Sequence, residues 1–341
     1  MFNACSVHHF VTRHGRSLAF TQLGFGSATL GNMGRIYSEE ECDRTIARAW
    51  DRGLRYFDTA PLYGLGLSEM RIGRVLRHQK RSDFVLSTKV GRILEACAPG
   101  ESNGGIYVGT PPVRYVYDYS YDGVMRSFEA SLTRLGLDRV DILLVHDVDA
   151  PAHGGRAGSE ARIRELIDLG GWRALDELRA SGAVAAIGAG VNEWQPCARL
   201  LELADPDLFL LAGRYTLLEQ EPLEDLFPRC AKAGAGIVLG GPYNSGVLAG
   251  KPTYDYADVP RDVAGRVGRL RAICRTHGVE LRQAALQFVA AHPLVVSVIP
   301  GAASPQEVDS NVALLEAATP PALWSELKAE GLLPAAAPVP A

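Results

Sequence analysis

The sequence is poor in the features that would make a special class of protein out of 341 residues. Its six cysteines never form a C-x-x-C pair, and the closest two, Cys197 and Cys230, stand 33 residues apart. That spacing excludes a zinc ribbon or a dithiol redox motif and leaves isolated reduced thiols. No apolar run approaches the length of a membrane span, and the opening MFNACSVHHFVTRHGR has no apolar stretch of the secretory type. Neither charge sign dominates: 35 basic and 39 acidic residues give a net charge of −4, the wrong sign for an electrostatic footprint on nucleic acid. Three nucleotide and nucleophile signatures are also missing: the G-x-G-x-x-G turn, the Walker A loop and the G-x-S-x-G elbow. With 47% hydrophobic and 22% charged residues, the chain is expected to be soluble, globular and cytoplasmic, with no nucleic acid and no membrane as partner.

What the sequence has is a repeat of one unit, a short apolar run followed by a longer helical pattern. The runs at 22–26, 54–58, 84–89, 140–146, 184–190, 207–212, 236–240 and 295–299 read as strands. Helical patterns follow near 39–52, 67–78, 122–136, 160–181, 195–204, 221–234, 262–290 with a break at His277–Gly278, and 304–317. Ser38 with Glu41, and Ser304 with Pro305, mark helix starts, while Gly53, Gly136 and Gly182 mark helix ends. Continuous apolar strands such as DILLVH suit a parallel sheet covered on both faces. Eight β/α units favour a closed (β/α)8 barrel of the TIM type over an open sheet. A single α/β domain over 1–328 is expected, with 92–121 and 242–261 as long loops at the C-terminal face and 329–341 as a disordered tail.

In such a barrel the chemistry stands where the strands end. The second run ends in Asp58, the third in Lys89 and the fourth in His146, and Tyr63 follows five residues after Asp58. Singly each has an ordinary explanation: a helix cap, a rim lysine, a core-edge histidine, a packed tyrosine. Together on adjacent strands they form a working set. Asp58 and Lys89 can pair, and the fixed ammonium is expected to lower the pKa of the Tyr63 phenol toward the working pH. Tyr63 is then a usable acid and base, and His146 can hydrogen-bond the substrate oxygen. Nothing in the set is a good nucleophile, and one histidine beside Asp147 makes a poor metal site. Proton transfer without nucleophile or metal points to hydride exchange with a nicotinamide.

These segments resemble the aldo-keto reductase superfamily: LGFGSATLG, GLRYFDTAPLYGLGLSE, STKVG, RLGLDRVDILLVHD, IGAGVN and IPGAASPQEVDSN. The resemblance covers nearly the whole chain and implies Asp58, Tyr63, Lys89 and His146 as the catalytic four, with NAD or NADP bound in extended form. Barrels hold phosphates with the loops after strands seven and eight, here GGPYNSGVLAG and IPGAASPQEV. Gly246, Leu248, Gly301, Ala302 and Ser304 are therefore expected at the cofactor, with Asn311 on the adenine and Asn192 on the nicotinamide amide. Glu307 stands where NADP-preferring relatives often place an Arg, so NAD is expected to be preferred and NADP possible.

The resemblance departs in places. Val191 replaces the usual Ser, Ala212 the usual Gln, and Gly240 the aromatic that stacks on the nicotinamide, leaving Tyr243 or Tyr215 as substitutes. Within the family the chain looks most like sugar 1-dehydrogenases, with the pyridoxal 4-dehydrogenase type close by. The expected reaction is oxidation of an aldose such as L-fucose, D-arabinose or L-galactose at C1 to a lactone, with Asn32, Arg114 and Asn244 as sugar contacts. The alternatives are oxidation of pyridoxal to its lactone, and a regulatory subunit that binds nicotinamide without turnover.

Overall fold

The computed structural model describes residues 2–340. In chain order its strands are β1 (Val7–Val11), β2 (Ser17–Thr21), β3 (Phe25–Gly26), β4 (Tyr56–Asp58), β5 (Val85–Val90), β6 (Arg92–Ala96) and β7 (Val113–Tyr117). They continue as β8 (Ile142–His146), β9 (Ala186–Val191), β10 (Leu208–Ala212), β11 (Gly236–Gly240), β12 (Thr253–Tyr254), β13 (Ala257–Asp258) and β14 (Val295–Ile299). Eight of them, in the order β3-β4-β5-β8-β9-β10-β11-β14, form one parallel sheet. Its two ends meet: Leu23 bridges Val298, Gly26 bridges Gly301, and the Gly24 N–H donates to the Val298 carbonyl at 2.8 Å. The sheet is thus a (β/α)8 barrel.

Side chains fill the barrel, as its small circumference requires. Tyr56, Ile142, Leu144, Leu208, Val238 and Ile299 meet in its interior. The N-terminal hairpin β1–β2 plugs the bottom, where Phe20 packs edge-on against Tyr56 with ring centroids 4.8 Å apart. With that end stopped, only the C-terminal ends of the strands open onto a cavity.

Several expectations are corrected here. The helical pattern of 160–181 is two helices, Arg156–Asp168 and Gly171–Ser181. Gly170 breaks them at φ 78°, and a Cβ on Gly171 would lie 1.9 Å from the Tyr119 carbonyl, so the second helix starts where its backbone meets that strand exit. The loop 92–121 contains the antiparallel hairpin β6–β7, and 242–261 contains the small hairpin β12–β13. Of the segment 329–341, expected as a disordered tail, residue 341 lies outside the described residues, but before it the segment is packed: Leu332, Leu333 and Ala337 are buried, and Arg266 donates to the Leu332 carbonyl at 2.9 Å. The run of alanines and prolines hid three apolar anchors that sit beneath the helix Pro321–Ala329.

Candidate active site

The parallel register places the ends of β4, β5 and β8 side by side. Asp58, the last residue of β4, is almost wholly buried. Its carboxylate accepts from Lys89 Nζ at 3.0 and 2.8 Å and from the Ser87 hydroxyl at 2.7 Å. Lys89 also donates to the Thr59 carbonyl at 2.9 Å and lies 3.0 Å from the Tyr63 hydroxyl. The lysine reaches that point because β9 passes it with Gly190, where a Cβ would lie 3.0 Å from Lys89 Cε. Tyr63 sits in the turn after β4. Gly31 and Gly64 interlock behind it, and a Cβ on Gly31 would be 2.5 Å from the Gly64 nitrogen. His146 ends β8, with its ring edge-on to Tyr63 at 5.8 Å.

The four expected residues therefore converge, and Tyr63, Lys89 and His146 line one cavity of about 580 Å³. Their titration follows from burial. Desolvation and then the Asp58 charge push the Tyr63 phenol well above its ordinary value. The acidifying pull expected of Lys89, 3.0 Å away, is outweighed by burial and by the Asp58 charge. Burial pushes Asp58 itself up, against the pull of Lys89 and Ser87. His146 is held well below the usual imidazole range by burial, with the Arg92 and Lys89 charges adding to it. It is a neutral hydrogen-bond donor or acceptor at physiological pH. The arrangement can therefore hold an oxygen between a phenol and a neutral imidazole and carry one proton through Tyr63.

Asn32, Arg114 and Asn244, expected as sugar contacts, do not line this cavity. Asn32 is buried and accepts from Arg71 at 2.8 Å and from the Tyr37 N–H at 3.1 Å, and Arg114 pairs outward with Glu95 at 3.8 Å. The walls are instead Arg92, Asn103, Tyr107, Tyr115, Tyr117, Arg214 and Tyr256, together with Asp147 and Asp149. Asp149 is pushed up to about 7 by burial and then by the charge of Asp147. The alternation of Tyr115, Tyr117 and Tyr119 was the one available sign that the long loop contained a strand with an aromatic face.

A nicotinamide cofactor fits the residues on the other side of the mouth. Gly301 passes close beneath Thr29, whose hydroxyl a Cβ would approach to 2.9 Å, so a side chain there would have to displace that hydroxyl. The loop after β11 turns sharply through Asn244, Ser245 and Gly246 at φ 46°, 55° and 109°. Asn244 is buried there with its Oδ1 unpartnered. Ser304 caps the helix Pro305–Glu316 by accepting from the Glu307 N–H at 3.2 Å, and Glu307 folds back to accept from the Ala303 N–H at 2.8 Å. Leu248 and Ala302 are buried, and the Leu248 N–H is engaged by the Tyr243 carbonyl. Asn311 accepts from the Tyr243 hydroxyl at 2.8 Å. Asn192 lines the cavity and donates to Asp147 at 3.1 Å. Of the two tyrosines expected over the nicotinamide, Tyr215 is buried against Phe227 and Phe288, and Tyr243 turns to Asn311.

A closed eight-stranded barrel with an Asp–Lys–Tyr set facing a histidine at its mouth defines a class of oxidoreductase. The chain belongs to the aldo/keto reductase family, which matches residues 22–329. It is 41% identical over 333 residues to pyridoxal 4-dehydrogenase of Microbacterium luteolum, covering 93% of this chain and 95% of that one. It is 38% identical over 326 residues to D-threo-aldose 1-dehydrogenase of a Pseudomonas species, covering 93% and 96%. Among solved structures it is similar to an aldo-keto reductase from Bacillus halodurans in its holo form, with a TM-score of 0.75, 26% identity and 97% of each chain covered. The protein is an NAD(P)-dependent oxidoreductase. Among the described residues no helix is long and apolar enough to cross a membrane.

Proposed function

We propose that this enzyme oxidises an aldose at C1 to the lactone, with Asp58, Tyr63, Lys89 and His146 as its catalytic residues. The observation that carries the reading is the Tyr63 hydroxyl, 3.0 Å from Lys89 Nζ and facing His146 across the cavity. The C1 hydroxyl of the cyclic sugar lies between Tyr63 and His146. A bound nicotinamide supplies the hydride acceptor. His146 holds the reacting oxygen, Tyr63 accepts its proton, and Lys89 stabilises the phenolate that takes it. Asp58 keeps Lys89 in place. The reading sets the enzyme in the cytoplasm, where its unpaired cysteines stay reduced.

Because the surroundings hold Tyr63 protonated at neutral pH, the base form needed for oxidation grows as pH rises. Oxidation is expected to accelerate steadily into the alkaline range, and the reverse reduction, which uses the protonated phenol, to hold its rate at neutral pH. A pH series of initial rates in both directions checks this, and an oxidation rate that peaks below neutrality contradicts it.

The reading includes NAD as the preferred cofactor, with Asn192, Gly246, Leu248, Gly301, Ala302, Ser304 and Asn311 around it. Glu307 places a carboxylate beside the cap of the helix Pro305–Glu316, where it repels a 2′-phosphate. The expected ratio of kcat/KM favours NAD over NADP by at least about tenfold, the effect of roughly 1.4 kcal/mol; a ratio favouring NADP overturns this part.

A second reading, oxidation of pyridoxal through its cyclic hemiacetal, is supported by the 41% relative and by Tyr107, Tyr115, Tyr117 and Tyr256 around the cavity, which suit a flat aromatic ring. NAD reduction measured with L-fucose, D-arabinose, L-galactose and pyridoxal separates the two. Turnover of pyridoxal with none of any sugar would defeat the first.

A further inference from the structure

Asp147 follows His146 and stands outside the catalytic set, yet three observations single it out. Its backbone has φ 46°, in the left-handed region that non-glycine residues seldom occupy. Neighbouring residues of an extended strand point to opposite faces. The left-handed step instead returns the Asp147 carboxylate to the cavity that His146 borders, with Oδ2 3.4 Å from His146 Nε2. The carboxylate is also oriented from behind: Oδ2 accepts from Arg92 at 2.6 Å and Oδ1 from Asn192 at 3.1 Å. Each carboxylate oxygen has two acceptor sites, so one remains on each. Arg92 is in turn fixed, buried over the rings of Tyr115 and Tyr117 at 4.5 and 4.9 Å. A strained, doubly braced acceptor beside the imidazole has no part in the proton transfer described above.

We propose that Asp147 is a specificity-determining residue, accepting a hydrogen bond from the substrate hydroxyl on the carbon next to the reacting one. The inference rests on the aldose reading and deepens it. A reacting oxygen held by His146 Nε2 brings its vicinal neighbour within hydrogen-bond reach of Oδ2, which lies beside that nitrogen. The neighbour must be a donor, because the carboxylate only accepts. A substrate without that hydroxyl leaves a desolvated carboxylate oxygen facing a C–H bond, and sites built to bind a hydroxyl reject such analogues strongly. The enzyme thus demands a 1,2-diol arrangement in its ring substrate, with Tyr115 and Tyr117 supporting the wall that holds it.

The test compares kcat/KM for L-fucose with that for 2-deoxy-L-fucose, and for D-arabinose with that for 2-deoxy-D-ribose, its 2-deoxy counterpart. The wild-type enzyme is expected to prefer the 2-hydroxy sugar about 100-fold. In Asp147→Ala that preference is expected to fall to about unity, with the loss on the 2-hydroxy sugar appearing mainly in KM; quenching of protein fluorescence by NADH checks that the variant is folded. If the variant does not fold, the wild-type ratio decides alone. A wild-type ratio near unity, or a preference that survives in folded Asp147→Ala, overturns the proposal. Failure of every aldose to turn over defeats instead the aldose reading beneath it, and this proposal falls with it.

Discussion

Replacing Tyr63 by Phe is expected to lower kcat/KM for oxidation by about a thousandfold, within the range that positioned acid–base groups supply, while NADH binding stays near its wild-type strength. The substitution removes one oxygen and little else. Lys89 keeps its bonds to Asp58 and to the Thr59 carbonyl, and the ring keeps its place beside Tyr107 and His146. The fold should therefore persist and only the proton route be lost. Reduced-nicotinamide formation under saturating cofactor, together with a fluorescence titration of NADH, separates the two effects. A variant that turns over at the wild-type rate removes Tyr63 from the chemistry.

Lys89→Met carries a double penalty. Among the described residues the ammonium is the only cation paired with the Asp58 carboxylate, and both groups are almost wholly buried. Breaking a buried pair from one side leaves an uncompensated charge and is expected to cost about 3–5 kcal/mol of stability. Activity should fall at least about a hundredfold, because the phenolate of Tyr63 loses its neighbouring charge. The double variant Asp58→Asn, Lys89→Met distinguishes the two losses: it recovers much of the stability, since no lone charge remains, and recovers none of the rate. Denaturant midpoints and oxidation rates on the three proteins measure this. A double variant as active as the wild type contradicts the role of Lys89, and one no more stable than Lys89→Met contradicts the account of the buried pair.

How much of this could be read from the sequence follows from which interactions are local. The eight barrel strands were legible because each is a short apolar run that stops at or just before a polar, glycine or proline residue, and Gly236–Gly240 and Val295–Ile299 fall at the expected bounds. Asp58, Lys89 and His146 were legible because strand ends fix their height and neighbouring strands bring them together. The cavity wall was not. Arg92 and Tyr256 reach it only through hairpins β6–β7 and β12–β13, whose course depends on tertiary contacts and on left-handed backbone at Asp255 and Tyr256. Asn32 illustrates the converse, a polar loop residue whose side-chain oxygen turns inward to Arg71 and Tyr37. Acidity was misread for a similar reason: a cation beside a phenol is visible in sequence, whereas the burial that outweighs it is not.

The chemistry rests on a phenol that the barrel mouth keeps protonated near neutrality, so that the base form oxidation needs appears only as pH rises. The most direct measurement is the pH dependence of aldose oxidation in the wild-type enzyme and in Tyr63→Phe, under saturating NAD. A rate that climbs through the alkaline range in the wild type, and residual activity in the variant that shows no such climb, is the expected result. The same climb in both proteins would assign the titrating group elsewhere and contradict the account.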